Sequence, residues 1–207
     1  MKTTIERDRV RSFIMNELLD GHIQIGERLS LPYFSDKLKC SVTPIREALT
    51  QLAYVKVIEA VPNRGFIIPA LNAKEAKNIY KLIAALEVLA LENSSFSARD
   101  VQTLKRLADI FDKTEDPLGR IKADFQLHDQ ITRNCDNPLL QQSIMDVKLR
   151  VFAYEKQFMD RSNLATRSSK QHQKIIDAIE HHHLSKAAQW LRQNWHIMLE
   201  FIQDEIK

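Results

Sequence analysis

Glycine, proline and cysteine are scarce in this sequence of 207 residues. It contains four glycines, six prolines and two cysteines, while 44% of its residues are apolar. Few glycines and prolines exclude a turn-rich β architecture, and the abundant Leu, Ala, Glu, Lys and Arg favour helices. Cys40 and Cys135 lie far apart and lack the spacing of a zinc or redox motif, which indicates reduced thiols. We therefore expect a mainly α-helical, cytoplasmic protein.

Long apolar runs and a strong net charge are also missing. No uninterrupted apolar segment approaches the roughly 20 residues of a membrane span, and the N-terminal segment MKTTIERDRVRSFIMNELL is interrupted by charges every few residues. The formal net charge is only +3, so the overall charge does not by itself indicate a nucleic-acid-binding protein. We expect no membrane association, and any basic surface has to be local.

The first part of the chain predicts a helix-turn-helix. Apolar residues recur with helical spacing over residues 5–20, and LPYFSDKL predicts a short helix at 31–38. Proline is favourable at the first helical position, so in SVTPIREALTQL we expect Thr43 to cap a helix that begins at Pro44 and ends near residue 55. Two short helices joined by a turn of about five residues are typical of this motif.

A hairpin is predicted directly after these helices. Residues 57–61 and 66–68 are rich in β-branched and aromatic side chains, and the turn-forming residues PNRG separate them. The order of helix, helix-turn-helix and hairpin is that of a winged helix-turn-helix, which we assign to residues 1–70.

From residue 72 onward the sequence is helical throughout. Asn72 is a suitable helix cap, and Pro69 ends the preceding strand. The periodicity and the breaks predict six helices, at about 73–93, 97–113, 117–134, 137–160, 164–182 and 184–206. The fold class expected is therefore mainly α, with an all-α six-helix bundle over residues 73–207.

Arg46 is an unusual residue near the start of the predicted second helix of the motif. It takes the third helical position, where an acid is favoured and the helix dipole disfavours a cation. Free backbone N–H groups at a helix start attract an anion, so a phosphate or a guanine edge would satisfy both charges. The pattern indicates DNA contact; the alternative is a solvated surface arginine.

The segments GHIQIGERLS, SVTPIREALTQL and PNRGFII, in this order and spacing, resemble the DNA-binding half of the GntR family of bacterial transcription regulators. The helical remainder is similar to the FCD effector-binding domain of the family's FadR branch. Family members often carry arginine at the positions of Pro32 and Val42, so the operator sequence is left open. The resemblance implies DNA contacts by six residues of the recognition helix and the wing: Ser41, Thr43, Arg46, Asn63, Arg64 and Gly65.

Polar residues interrupt two apolar helix faces in the second half of the chain. Asp124 and His128 are one helical turn apart, and His172 lies on a similar face of a later helix. Buried polar groups need partners, and carboxylates and imidazoles are ligands of divalent metals. Hydrogen-bonded core residues are the alternative. The FCD resemblance implies a metal held by one Asp and three His at these places.

The fourth ligand position departs from that family pattern. Family spacing puts it 22 residues after His172, at Asn194, and helical periodicity places Asn194 on the apolar face and His196 on the polar face. An amide oxygen is a weaker ligand than imidazole for zinc or nickel. Three alternatives follow: weak binding of zinc or nickel, a preference for a harder ion, or no metal. We interpret the His181–His183 run as a surface turn.

The sequence predicts a homodimeric transcriptional regulator. A small-molecule effector in the helical domain, with or without a metal, would control its affinity for a double-stranded, near-palindromic operator. Family members often have an arginine at the position of Ile83, so its loss here leaves Arg150 as a candidate effector ligand, with a surface role for Arg150 as the alternative. No enzyme is predicted.

Two other functions were weighed against this one. A metal-dependent hydrolase would use the Asp/His site, but the sequence has no phosphate loop, nucleophile elbow or convincing general base. A helical scaffold that binds only protein leaves the winged-helix pattern unexplained.

Overall fold

The computed structural model of the protein has two compact units, Met1–Leu71 and Asn72–Lys207. The predicted mainly α fold class is confirmed. Among the described helices, none combines the length and the apolar character needed to span a membrane. Of the two cysteines, Cys40 is half-buried and Cys135 is buried. The residues described are 9–10, 12–14, 16–18, 20, 22–54, 56, 58–70, 72–158 and 163–205.

The first residues that the structure describes, 9–18 with gaps at 11 and 15, are helical and pack against the next helix, α1 (Leu31–Leu38). Val10, Ile14 and Leu18 are buried at intervals of four, in agreement with the predicted periodicity. Phe13 contacts Phe34 of α1 edge to face, with ring centroids 5.1 Å apart. Further positions assigned to helix or strand from the sequence lie outside the described residues: 5–8, 11, 15, 19, 55, 57, 159–160 and 206.

The next helix, α2, spans Val42–Tyr54 and begins two residues before its predicted start at Pro44. Ser41 precedes it, so the prediction of Thr43 as the cap is wrong. Every position of the first turn lacks an intrahelical partner for its N–H group, so proline is tolerated at the third position as well as the first. Arg46 is consequently the fifth residue of α2 and not the third.

The predicted hairpin is present, with its strands shifted slightly and a third strand added. β1 (Arg28–Leu29), β2 (Glu59–Val61) and β3 (Gly65–Ile67) form an antiparallel sheet with β3 in the centre. The sequence analysis did not predict β1, because two residues are too few to show a period of two.

A tight turn forms the tip of this wing. The Val61 carbonyl accepts a hydrogen bond of 3.0 Å from the Arg64 N–H group, and Asn63, which follows Pro62, has a left-handed φ of 60°. This is the pattern of a type II turn. Gly65 follows with a φ of 82°, so the tip uses the two residue types that adopt this region most readily.

The second unit contains six helices in the part that the structure describes, as predicted. Asn72 caps the first of them, and Ser97 and Asp100 form a capping box at the second. The first helix packs mainly on the fourth and the sixth. The helices are α3 (Ala73–Glu92), α4 (Ala98–Lys113), α5 (Pro117–Thr132), α6 (Pro138–Phe158), α7 (Asn163–Glu180) and α8 (Leu184–Glu205).

Candidate metal centre and DNA-binding surface

An aspartate and two histidines meet inside the second unit. Asp124 and His128 lie one turn apart on α5, and His172 comes from α7. One ligand atom of each residue lies within 4.8 Å of the other two. His172 Nε2 is 3.1 Å from Asp124 Oδ1, and His128 Nε2 is 3.8 Å from Asp124 Oδ2. The fold thus brings together three residues that the sequence predicts as metal ligands.

Three of the four imidazole nitrogens of this cluster are buried and lack well-formed hydrogen bonds. His128 and His172 are 1% and 0% exposed, and neither His128 Nε2 nor either ring nitrogen of His172 has a hydrogen-bond partner among the described residues. Burying such a group unpaired costs roughly 1–3 kcal/mol. Tetrahedral zinc with bonds of about 2.1 Å keeps its ligands about 3.4 Å apart, between the two distances observed. The cluster therefore fits a divalent ion with nitrogen and carboxylate ligands.

Glu87 of α3 positions His128. Its Oε2 accepts a hydrogen bond of 2.6 Å from His128 Nδ1 and one of 2.8 Å from the indole Nε1 of Trp195. Lys148 Nζ of α6 lies 3.2 Å from the other oxygen, Oε1. The Nδ1 proton of His128 is held by the carboxylate, so Nε2 is the ring nitrogen turned toward the cluster, where a bound cation would take its lone pair in place of a proton.

Opposite charges set the protonation states in this network. Burial alone would raise the pKa of Glu87, but the charges of His128 and Lys148 outweigh it and lower that pKa. For Asp124, burial is likewise outweighed by His128 and His172, which lower its pKa. Burial would lower the pKa of His128, but the carboxylates of Glu87 and Asp124 raise it. Both acids are therefore ionised at neutral pH and available to a cation.

The predicted DNA-binding residues lie at the start of α2 and at the tip of the wing. Five of the six are exposed, and the sixth, Gly65, is half-buried. Arg28 adds a cation to the wing that the sequence analysis missed, since its Nε lies 3.5 Å from the position that a side chain at Gly65 would take. The exposed residues are Ser41, Thr43, Arg46, Asn63 and Arg64.

Comparison with known proteins accounts for both units. Residues 6–68 match the gntR family of bacterial regulatory proteins, and residues 78–196 match the FCD domain. The chain belongs to the GntR family. The gntR match covers its winged helix-turn-helix, and the FCD match covers most of its helical bundle.

Two curated relatives extend this comparison. The HTH-type transcriptional regulator McbR of Escherichia coli (strain K12) is 27% identical over 101 residues, 48% of this chain and 46% of that protein. The Nta operon transcriptional regulator of Aminobacter aminovorans is 29% identical over 136 residues, 63% and 64% of the two chains. These matches span between about half and two thirds of the relatives. A solved structure of E. coli McbR/YncC has a TM-score of 0.80 at 18% identity and covers 98% of this chain and 99% of its own, so the fold is shared.

In this GntR-family chain, Asn194 lies on the buried side of α8. It is 5% exposed, and its Nδ2 has no hydrogen-bond partner among the described residues. The side chain of His196 is 56% exposed and lies 3.2 Å from Glu200 Oε1. The two residues are on opposite sides of the helix, as periodicity predicts. The role of Asn194 as fourth ligand stays a prediction.

Arg150 of α6 is engaged within the fold. Its Nε and Nη2 donate hydrogen bonds of 2.7–3.0 Å to the carboxylate of Glu75. The Tyr154 hydroxyl donates to the same carboxylate at 2.8 Å and accepts a bond of 3.2 Å from the N–H group of Asn72. This network ties the start of α3 to α6. Glu75 already compensates the charge of Arg150, whose assignment to an effector stays a prediction.

Three buried ionisable residues near the cluster were missed from the sequence. Glu155 is 4% exposed, and its pKa is raised well above the usual range by burial and by the nearby Asp124 and Glu87. The available signal was a charge at an apolar helical position: Glu87 shares a face with Ile83 and Leu91, one turn away on either side, and both are fully buried. The three residues are Glu87, Lys148 and Glu155.

Proposed function

We propose that this chain is a transcriptional regulator that binds operator DNA through its first unit and a small-molecule effector through its second. The observation that carries the proposal is an exposed arginine, Arg46, near the start of α2 in a winged helix-turn-helix. Membership of the GntR family supports both parts of the proposal.

The start of α2 and the wing form a continuous set of DNA contacts in this proposal. A recognition helix enters the major groove with its first residues against the base edges, so Arg46 reads a base or clamps a phosphate. Arg64 and Arg28 at the wing contribute phosphate contacts, which position the protein without reading sequence.

A stripe of apolar residues on the outer face of α3 supports a homodimer. Leu82 and Leu89 are each 48% exposed, and Ile79 and Leu86 are half-buried. Their spacing of three, four and three residues is that of a coiled-coil seam, and exposed apolar stripes are typical of interfaces. We define these four residues as the α3 stripe. A two-fold dimer formed through it would read a near-palindromic operator.

The effector site is the buried cluster of the second unit. We propose that Asp124, His128 and His172 hold a divalent metal, zinc or nickel, with Asn194 as a weaker fourth ligand. The ion would supply a positive charge for an electron-rich group of the effector. Arg150 remains the second candidate for effector contact.

An enzymatic role is not part of the proposal. The hydrolase alternative finds no support in the comparisons, because the matched relatives are named as regulators. A cytoplasmic location follows from the proposed role, since bacterial operator DNA is found there.

Selection of bound fragments from a genomic DNA pool tests the DNA-binding function directly. We expect enrichment at physiological salt of a few fragments that share a two-fold motif, and loss of that enrichment in high salt, because phosphate contacts release counterions. Fragments recovered without any shared motif, or no recovery at all, would contradict the proposal.

A further inference from the structure

A pocket lies on the outside of the helical unit, between α3 and α8. Its volume is about 510 Å³, within the range of roughly 300–1,000 Å³ typical of small-molecule sites. Its floor is apolar and aromatic: Tyr80, Trp195 and Leu199 line it and are 1%, 2% and 5% exposed. We call it the outer pocket. It therefore offers an apolar surface to a ligand of modest size.

Cationic side chains surround this floor. Lys81 of α3 and Arg192 of α8 line the outer pocket, are exposed, and form no ion pair with any residue that the structure describes. His196 also lines it but is paired with Glu200. No acidic residue is among the described residues of the lining. The outer pocket thus combines an apolar floor with two uncompensated cations.

We propose that the outer pocket binds an amphipathic monocarboxylate, with the alkyl or aryl body on the aromatic floor and the carboxylate between Lys81 and Arg192. Burying apolar area contributes about 25 cal/mol per Å², and the planar guanidinium of Arg192 matches a carboxylate with two parallel hydrogen bonds. A second copy of the chain is a poorer occupant, because two-fold pairing of this surface with itself would bring the same cations together.

Trp195 connects the outer pocket to the buried cluster. The ring of Trp195 lies 4.6 Å from that of His128, and its indole N–H donates to Glu87. A ligand that shifts Trp195 therefore acts on the residues that orient His128. The outer pocket is thus a second ligand site, separate from the metal-type cluster, and its binding does not depend on the proposed metal or DNA functions.

Octanoate provides a direct test, with octanol as an uncharged probe of the same chain length. The two tryptophans are Trp190 and Trp195, so a Trp190→Phe variant leaves Trp195 as the reporter. We expect a saturable change in Trp195 fluorescence with octanoate and a dissociation constant for octanol that is about fivefold or more higher, since losing one charged contact costs about 1 kcal/mol or more.

Charge-neutralising variants locate the carboxylate. In the Trp190→Phe background, Lys81→Gln with Arg192→Gln should abolish the preference for octanoate over octanol, whereas Arg106→Gln, an exposed arginine of α4, should preserve it. If octanoate bound inside the buried cluster instead, neither Lys81→Gln with Arg192→Gln nor Arg106→Gln would change its affinity. An absent fluorescence response in wild-type protein, equal affinity for the two probes, or a preference that survives the double substitution would each overturn the proposal.

Discussion

Among single residues, Arg46 has the most direct link to DNA recognition. We expect Arg46→Ala to weaken operator binding by roughly 1–3 kcal/mol, because one good side-chain contact to a base contributes about that much. The side chain is exposed, so the fold should be unaffected. A fluorescence anisotropy titration with the selected operator measures the effect. Arg99→Ala, an exposed arginine of α4, is the matched control; equal loss in both variants would contradict a specific role.

Asn194 and His196 allow an internal comparison of the fourth ligand position. Asn194→His should complete a set of three imidazoles and one carboxylate and raise zinc occupancy, because imidazole is a better zinc ligand than an amide oxygen. His196→Ala should leave occupancy unchanged, since that side chain is 56% exposed. Metal analysis of wild type, Asn194→His and His196→Ala after identical dialysis measures the zinc occupancy of each protein. Equal occupancy in wild type and Asn194→His would show that the fourth position is assigned wrongly.

Glu87 is a positioning residue whose effect should appear in metal affinity. Glu87→Gln removes the charge that fixes the proton on His128 Nδ1, and changes to such supporting hydrogen bonds typically lower metal affinity about 10- to 100-fold. Competition with a chelator measures this. Glu92→Gln, at an exposed position of the same helix, should retain wild-type affinity. A loss of helical circular dichroism without a change in affinity would indicate a purely structural role.

At the scale of secondary-structure elements, the α3 stripe predicts the dimer interface. Leu82→Glu with Leu89→Glu should dissociate the dimer, because burying a leucine contributes about 1.5–3 kcal/mol and each substitution acts twice across a two-fold axis. Sedimentation equilibrium measures the change. Leu139→Glu, an 80% exposed leucine of α6 outside the stripe, is the control. A wild-type dimer that survives the double substitution would place the interface elsewhere.

The elements differ in how well the sequence predicts them. The six helices of the second unit agree with prediction within about two residues, because caps such as Asn72 and Asp116 mark their starts and breaks such as DNP separate them. β1 could not be predicted, because it exists only through pairing with β3. The start of α2 was misplaced because the rule for proline applies to the whole first turn.

The candidate site, too, was predictable from the sequence only in part. Asp124 and His128 could be paired from the sequence because they share one helix face, one turn apart. Glu87 and Trp195 reach the same place from α3 and α8 through tertiary packing, which a local pattern does not encode. Helix periodicity therefore identified the candidate ligands, and the residues that orient them became apparent only from the packing of separate helices.

At the scale of the whole molecule, the two units should respond separately to metal. A ligand that binds only the folded state stabilises it by about 2.7 kcal/mol at a concentration 100 times its dissociation constant. Zinc should therefore raise the unfolding temperature of the second unit alone. Both tryptophans lie in that unit, so their fluorescence follows it, while circular dichroism follows both units. Equal shifts by both probes would contradict independent units.

The two cysteines also allow the whole molecule to be spin-labelled at a native position. Cys40 is half-buried in the turn before α2, whereas Cys135 is buried in the second unit. A thiol reagent should therefore modify native protein first at Cys40, without any engineered cysteine. In a two-fold dimer, the labels on the Cys40 residues of the two subunits define a single distance between the DNA-reading motifs. Measuring this distance with and without an effector would show how far the effector moves the motifs apart.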